Sequence, residues 1–383
     1  MRAMAWDEFW WNHITGPQIL VSSVATALID GKNVTLRVPS DLPWRHSMRG
    51  AIHSELRDLS DSRDLLIELI DAVDEIPDTL DPGRYILDRF ADETVKRGYR
   101  EKSKQSIQEY IIQHHVIENH VIWIKGLTAT AAESWISFCK RFSPHTYEEG
   151  LFVLEVSDNC HIQSSKYMQL IEYAQYVSSF DVRLLNSFIL DSTMRESDPR
   201  WKDYIATVTA VVCDTDAEIS EALISCGNLT REAVSDVLLR LSSMPEYERR
   251  GVAPNSTHIL RLCRIGDMET IEKKIWAAQV QILFPIIELE RIQIIQEWYE
   301  RIDYSLSHQD VYQYGNQITN PIDVELGTLS YLLSKKTDDN QRGLYISDDA
   351  IRDRIRFLHD CRNQLAHATI CSQDQVKTLL DNV

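Results

Sequence analysis

Asn33-Val34-Thr35-Leu36-Arg37-Val38-Pro39 sets the class of the N-terminal half. A short run rich in β-branched and aliphatic residues, closed by a proline, reads as a buried strand. Before it lies a helical stretch from about 17 to 30, opened by Thr15-Gly16-Pro17 and stopped by Gly31. Proline belongs in a first helical turn and glycine just past a last one. Upstream of that, Trp6, Phe9 and Trp10 fall at i, i+3, i+4 and form the core-facing side of a short helix. Further strands are predicted at Leu65–Ile70, His120–Lys125, Leu151–Val156 and Val182–Leu185, with helices at about 84–97, 101–117, 129–142 and 165–178 between them. Nearly continuous apolar strands alternating with helices imply an α/β domain on a mostly parallel sheet buried on both faces.

The loop after the first strand carries the second piece of information. It reads Pro39-Ser40-Asp41-Leu42-Pro43-Trp44-Arg45-His46-Ser47-Met48-Arg49-Gly50 and runs into a helical stretch to about Leu56. Strand, loop and helix in this order resemble a P-loop NTPase fold over about residues 15–190. Its phosphate loop would need glycines for close backbone approach and a lysine for charge. Two prolines and Asp41 stand there instead, and Ile122-Trp123-Ile124-Lys125-Gly126 occupies the place of the magnesium-binding acids. The resemblance therefore implies a degenerate NTPase-like domain over 1–195 without ATP hydrolysis. Arg45, His46 and Arg49 are left as anion holders or loop caps, and Glu155 as a lone acid at a strand end. Residues 196–250 read as a helical, lid-like subdomain, with Thr230 as a helix cap, and Glu246–Ser256 as a linker marked by Pro245, Gly251 and Pro254.

From 257 to 383 the pattern is helical and predicts an all-α bundle. Ile286, Leu289, Ile294, Ile295 and Trp298 form a broad apolar stripe, with a break expected at Phe284-Pro285. A helix is predicted at 323–334 and a polar loop at 338–343. Ser347-Asp348-Asp349 caps the helix that follows, and a last helix covers 372–380.

The capped helix contains Ile355-Arg356-Phe357-Leu358-His359-Asp360-Cys361-Arg362-Asn363-Gln364-Leu365-Ala366-His367. R-N-x-x-x-H in a late helix resembles the signature of HEPN domains, all-helical modules of which many are metal-independent ribonucleases. That resemblance covers about the last hundred residues. It implies catalytic roles for Arg362 as phosphate clamp, Asn363 as orienting group and His367 as proton-transfer group, with no metal and no cofactor. The residue types suit the work: histidine titrates near neutrality, and arginine stays charged and grips phosphate oxygens bidentately. At about 100° per residue, Arg362 and His367 sit about 140° apart on an unbroken helix, while Asn363 and His367 share a face. The pair meets if the helix bends or ends between them, or across a second subunit. HEPN nucleases work as dimers, so the resemblance implies a homo-oligomer and an RNA substrate. The alternative for the same residues is structural: an Asn363–His367 pair in the bundle and Arg362 bridged to a neighbouring acid such as Asp360 or Glu288.

Composition sets outer limits. Lys+Arg 40 against Asp+Glu 58 gives a net charge of −18, a field that repels polyanions, so RNA would need a local basic groove or a partner. Basic pairs at Lys140-Arg141, Arg249-Arg250 and Lys273-Lys274 read as solvated surface. Seven cysteines without C-x-x-C spacing indicate neither a disulfide framework nor structural zinc, and point to a reducing cytoplasm. The apolar run Ile19–Ile29 is too short to cross a bilayer, so no membrane partner is expected. Two readings stay open. One is a ribonuclease effector of a kind that resembles bacterial antiviral defence or toxin systems. The other is a non-catalytic scaffold or regulatory subunit whose protein partners belong to a larger complex.

Overall fold

The strand Asn33–Arg37 (β1) lies inside a five-stranded, wholly parallel sheet with Leu66–Asp71 (β2), His120–Lys125 (β3), Leu151–Val156 (β4) and Met168–Glu172 (β5), in the order β2-β3-β4-β1-β5. The computed structural model describes residues 5–60, 65–76, 80–100, 104–157, 163–253, 256–335 and 343–381. The chain divides into two compact units, Met1–Leu185 with Thr215–Ile219, and Asn186–Asp214 with Ser220–Val383. An α/β part and a helical part are thus both present. Among the described residues no helix is long and apolar enough to cross a membrane.

In the first unit β4 is buried along its whole length, as a central parallel strand should be. Asn33 opens β1 fully buried and leaves none of its amide unpaired. Its Nδ2 donates to the carbonyls of Cys139 (3.0 Å), Phe142 (2.9 Å) and Tyr167 (3.2 Å), and its Oδ1 accepts from Phe152 N (3.0 Å). One side chain therefore ties β1 and β4 to the end of the helix Ala129–Arg141. A buried amide is tolerated because it is fully satisfied. In the N-terminal helix Trp6–His13 the fully buried rings are Trp10 and Trp11, a slightly different face from the predicted Trp6, Phe9 and Trp10.

Several expectations are corrected. Val182–Leu185 is not a strand but part of the helix Ser179–Thr193. Asp181 Oδ2 accepts from Ser178 N (2.9 Å) and Ser178 Oγ (2.9 Å), so Ser178-x-x-Asp181 is a helix-start signature that outweighs the short apolar run. The helix predicted at 165–178 is instead β5 followed by the one-turn helix Tyr173–Tyr176. Pairing with β1 overrides the local propensity of Met168-Gln169-Leu170-Ile171-Glu172. The 84–97 stretch forms two helices, Pro82–Phe90 and Glu93–Gly98. The 101–117 stretch gives Ile107–Gln113, with 101–103 outside the described residues. Thr230 caps nothing, since that helix runs Val234–Ser242 behind Ala233.

The second unit is built on one helix, Met268–Glu297. Pro199–Cys213, Ile259–Ile265, Asp349–Ala366 and Gln373–Asp381 pack against it. That packing places most of 196–250, expected as a separate lid, with the C-terminal helices. The predicted polar loop at 338–343 lies outside the described residues up to Gly343. The expected break at Phe284-Pro285 does not occur: the helix continues through Pro285. Proline removes the N–H that would bond the Gln281 carbonyl, but Gln281 and Pro285 are both exposed, so water can take that carbonyl. The cost of the missing bond stays in the fold. Pro285→Ala is expected to raise unfolding stability by about 1–3 kcal/mol, read from the urea midpoint at unchanged slope. A midpoint at or below wild type would mean that the surroundings need the proline.

Candidate functional site

The carboxyl ends of the parallel strands are where an open α/β sheet takes its ligand, at the point where connections leave in opposite directions. Here that point lies between β1 and β4, and it is filled by the protein itself. The Glu155 side chain on β4 is 1% exposed. It accepts from Arg45 Nη1 (2.8 Å), Arg49 Nε (2.7 Å) and Trp123 Nε1 (2.7 Å). Both arginines come from the first turns of the helix Arg45–Leu59, the helix after the anomalous loop. Arg45 Nη2 also donates to the carbonyls of Pro39 (3.0 Å) and Ser40 (3.2 Å), and His46 is exposed and outside the cluster.

The loop enters this helix through Trp44, whose φ of 42° lies in the left-handed region and whose N–H donates to Glu218 Oε2 (2.8 Å). On either side, the same strand ends carry two more ion pairs. Arg37 meets Glu172 across β1 and β5, and Lys125 meets Asp71 across β3 and β2. The hydrogen bond from Lys125 is the main reason the Asp71 carboxyl sits below its ordinary value. The anion that Arg45 and Arg49 hold is thus Glu155, and Lys125 offers its charge to Asp71.

The R-N-x-x-x-H helix, Asp349–Ala366, begins at Asp348, whose side chain accepts from Ala350 N (2.8 Å). It turns Ile355, Leu358, Cys361 and Leu365 inward at i, i+3, i+4 spacing. Arg354 fixes it by a two-pronged pair with Glu290 (2.5 and 2.7 Å), and Trp276 Nε1 donates to Leu365 O (2.7 Å). Beyond its end, Gln279 brackets Cys371: Oε1 accepts from Cys371 N (2.7 Å) and Nε2 donates to Cys371 O (3.0 Å). The hydrogen bond to Cys371, with burial, holds the Cys361 thiol far above its ordinary value.

The helix stops where the motif ends. Ala368 takes a φ of 57°, Ala368 N bonds Leu365 O (3.3 Å) and Thr369 N bonds Gln364 O (2.9 Å). This is a Schellman closure with alanine in the position glycine usually holds. His367 becomes the terminal residue of the helix, exposed, with no side-chain hydrogen bond or ion pair among the described residues.

The other two motif residues are occupied. Arg362 Nη2 pairs with Glu325 Oε2 at 3.2 Å, and its Nη1 lies 3.4 Å from Asn363 Oδ1. Asn363 Nδ2 lies 2.9 Å from His359 Nε2, one turn back. The structural alternative keeps its form, an asparagine–histidine pair and an arginine bridged to an acid, but its partners change. Asn363 pairs with His359 rather than His367, and Arg362 pairs with Glu325 rather than Asp360 or Glu288. Glu288 is taken by Arg291 (2.8 Å). Arg362, Glu325, Arg291, Glu288, Phe284 and Ile322 line a cavity of about 380 Å³, and His367 is not part of that lining.

Glu325 was not singled out by sequence reasoning. It stands 37 residues from Arg362, and no local pattern links them. No group of three or more His, Cys, Asp or Glu is placed to hold a metal ion among the described residues. No protein-family model matches this sequence, and no curated protein matches it.

Removing a buried charge while leaving its partners is costly. Glu155→Ala should lower stability by about 3–5 kcal/mol in urea unfolding, because two arginines lose their carboxylate. A loss below about 0.5 kcal/mol would remove Glu155 as a stabilising centre. The wild-type protein should show no ATP turnover. Turnover above background that disappears in Arg45→Ala or Arg49→Ala would overturn the reading of this edge as closed.

Proposed function

We propose that the α/β unit is a degenerate, P-loop-like module that does not hydrolyse nucleotide, and that the helical unit is a HEPN-like, metal-independent endoribonuclease acting as a pair of copies. The observation that carries this reading is His367. Exposed histidines such as His46 also occur elsewhere in the chain, so it is the position of this one that counts. This one is exposed and holds nothing together among the described residues, one turn beyond an arginine and an asparagine. It is accessible to a bound substrate, as a general acid–base group must be.

The chemistry assigned to these residues is transesterification. An imidazole takes the 2′-OH proton as that oxygen forms a bond to phosphorus. The bond from phosphorus to the 5′-oxygen breaks, and the leaving oxygen receives a proton, giving a 2′,3′-cyclic phosphate and a 5′-hydroxyl. Arg362 would neutralise the charge gathering on the phosphate, and Asn363 would orient it. Within one chain Arg362 is directed to Glu325 while His367 stands free, so the composite arrangement uses Arg362 of one copy and His367 of another. An effector of this type fits a defence or toxin-type system in the cytoplasm.

A second reading is favoured by a specific observation. Arg362, the phosphate clamp, already has a carboxylate partner, and the protein carries −18 overall. On that reading both units keep their shape without chemistry and serve as a scaffold or regulatory subunit of a multiprotein complex.

Four proteins separate the two: wild type, His367→Ala, Arg362→Ala and Arg362→Lys. If the site is catalytic, His367→Ala lowers RNA cleavage by about 10²–10⁴-fold with an unchanged melting temperature. Arg362→Lys should rescue poorly, because a point charge does not reproduce a bidentate grip. An inert wild type, assayed with and without cell extract, would end the nuclease reading and leave the scaffold, and the part-exposed Arg362–Glu325 pair makes Arg362→Ala cost at most about 1 kcal/mol of stability on either reading.

A further inference from the structure

Glu325 is the N-cap residue of the helix Leu326–Ser334, yet its side chain makes no capping hydrogen bond. The side chains that cap at that position are short ones, serine, threonine, aspartate and asparagine, and the longer glutamate is left to reach elsewhere. This one instead reaches across to Arg362, with Oε2 3.2 Å from Nη2. The same oxygen accepts from the hydroxyl of Tyr314 at 3.0 Å.

Tyr314 sits at the tip of a hairpin that pairs Tyr312 with Gln317 and Gln313 with Asn316. Its φ is 49° and that of Gly315 is 83°. A two-residue turn with both central residues at positive φ normally takes asparagine or aspartate before glycine. A tyrosine held there is strained, and the residue is 80% exposed, so burial does not compensate. What it gains is the hydrogen bond to Glu325. Gln313 fastens the hairpin to the same place: its Oε1 accepts from Glu325 N (3.2 Å) and from Thr328 Oγ1 (2.8 Å).

We propose that Glu325, steadied by Tyr314, is an autoinhibitory carboxylate that occupies the phosphate-gripping face of Arg362 and must swing away before a nucleic-acid phosphate can bind. The inference rests on the nuclease reading for its biological sense, but the occupancy itself concerns phosphate binding alone. Three features make the contact displaceable rather than permanent. The Arg362 and Glu325 side chains are 28% and 34% exposed, so water can solvate both when they part. Each carboxylate contact comes from a single donor atom rather than a two-pronged arginine fork. The hairpin that steadies Glu325 is only two residues per strand, so few ladder hydrogen bonds hold it. While Glu325 stays, an incoming phosphate meets a neutralised arginine and a like charge beside it.

The direct test is binding of a fluorescent single-stranded oligonucleotide of 2′-deoxynucleotides, which cannot be cleaved through a 2′-OH, followed by anisotropy. Glu325→Gln should tighten binding by about 10-fold, as removal of a competing intramolecular partner predicts. Tyr314→Phe should tighten it by a smaller factor, and Glu325→Gln with Arg362→Ala should return it to wild-type weakness or below. Melting curves establish that each variant is folded. If Glu325→Gln does not fold, the exposed and conservative Tyr314→Phe decides the matter. A folded variant that binds no tighter overturns the latch. So does tightening that survives the loss of Arg362. Parallel cleavage of the ribonucleotide version keeps the two claims apart. Arg362-dependent tightening with no cleavage by any protein supports the latch and refutes the nuclease.

Discussion

A buried carboxylate survives in a protein only when donors surround it, and Glu155 has three. Its hydrogen bonds join β4 to Trp123 on β3 and to the helix that follows β1. The loop 39–44, which sequence alone leaves as an anion holder or a cap, is fixed in part because Arg45 reaches past it to Glu155 and returns donors to Pro39 and Ser40. A glycine-rich loop would have left room for phosphate at this point. Two prolines, a left-handed tryptophan and an internal anion leave a carboxyl edge knit together by ion pairs. The carboxyl edge of the α/β unit is therefore filled by the protein's own side chains.

The second unit repeats the motif of an arginine answered by an internal carboxylate, with a different physical outcome. Glu155 is buried, so its ion pairs act at low dielectric and parting them would strand charge. Glu325 is a third exposed, so its pair with Arg362 is screened and is worth at most a fraction of a buried one. The same chemistry serves as a staple in one place and as a removable cover in the other. Burial, rather than residue type, makes the difference.

Much of the frame was legible in the residues. Asn33–Arg37, His120–Lys125 and Leu151–Val156 are apolar runs at the centre of a parallel sheet, where continuous hydrophobicity has one common explanation. The cap at Asp348 was readable from Ser347-Asp348-Asp349, and an end of the motif helix near His367 fits the stretch Ala368-Thr369-Ile370-Cys371 that follows. Edge strand β5 was not legible, because three of its five residues are partly exposed and its pairing with β1 is set by tertiary contact. Pro285 misled because water can take the freed Gln281 carbonyl on this solvent-facing turn, so the helix carries the cost of the missing bond without breaking. For the candidate site, Arg362, Asn363 and His367 were visible as a spacing, but Glu325 and Tyr314 were not. Their roles depend on a hairpin folding back on a helix, and no periodicity encodes that.

The central claim for function is that Arg362 and His367 act together only across two copies. Mixing the Arg362→Ala and His367→Ala proteins under conditions that exchange subunits tests it most directly. In a two-fold pair each mixed dimer keeps one site with both residues and loses the other, so an equal mixture should recover about a quarter of wild-type RNA cleavage. A mixture as inactive as its two parents, beside an active wild type and with exchange verified, would contradict the composite site.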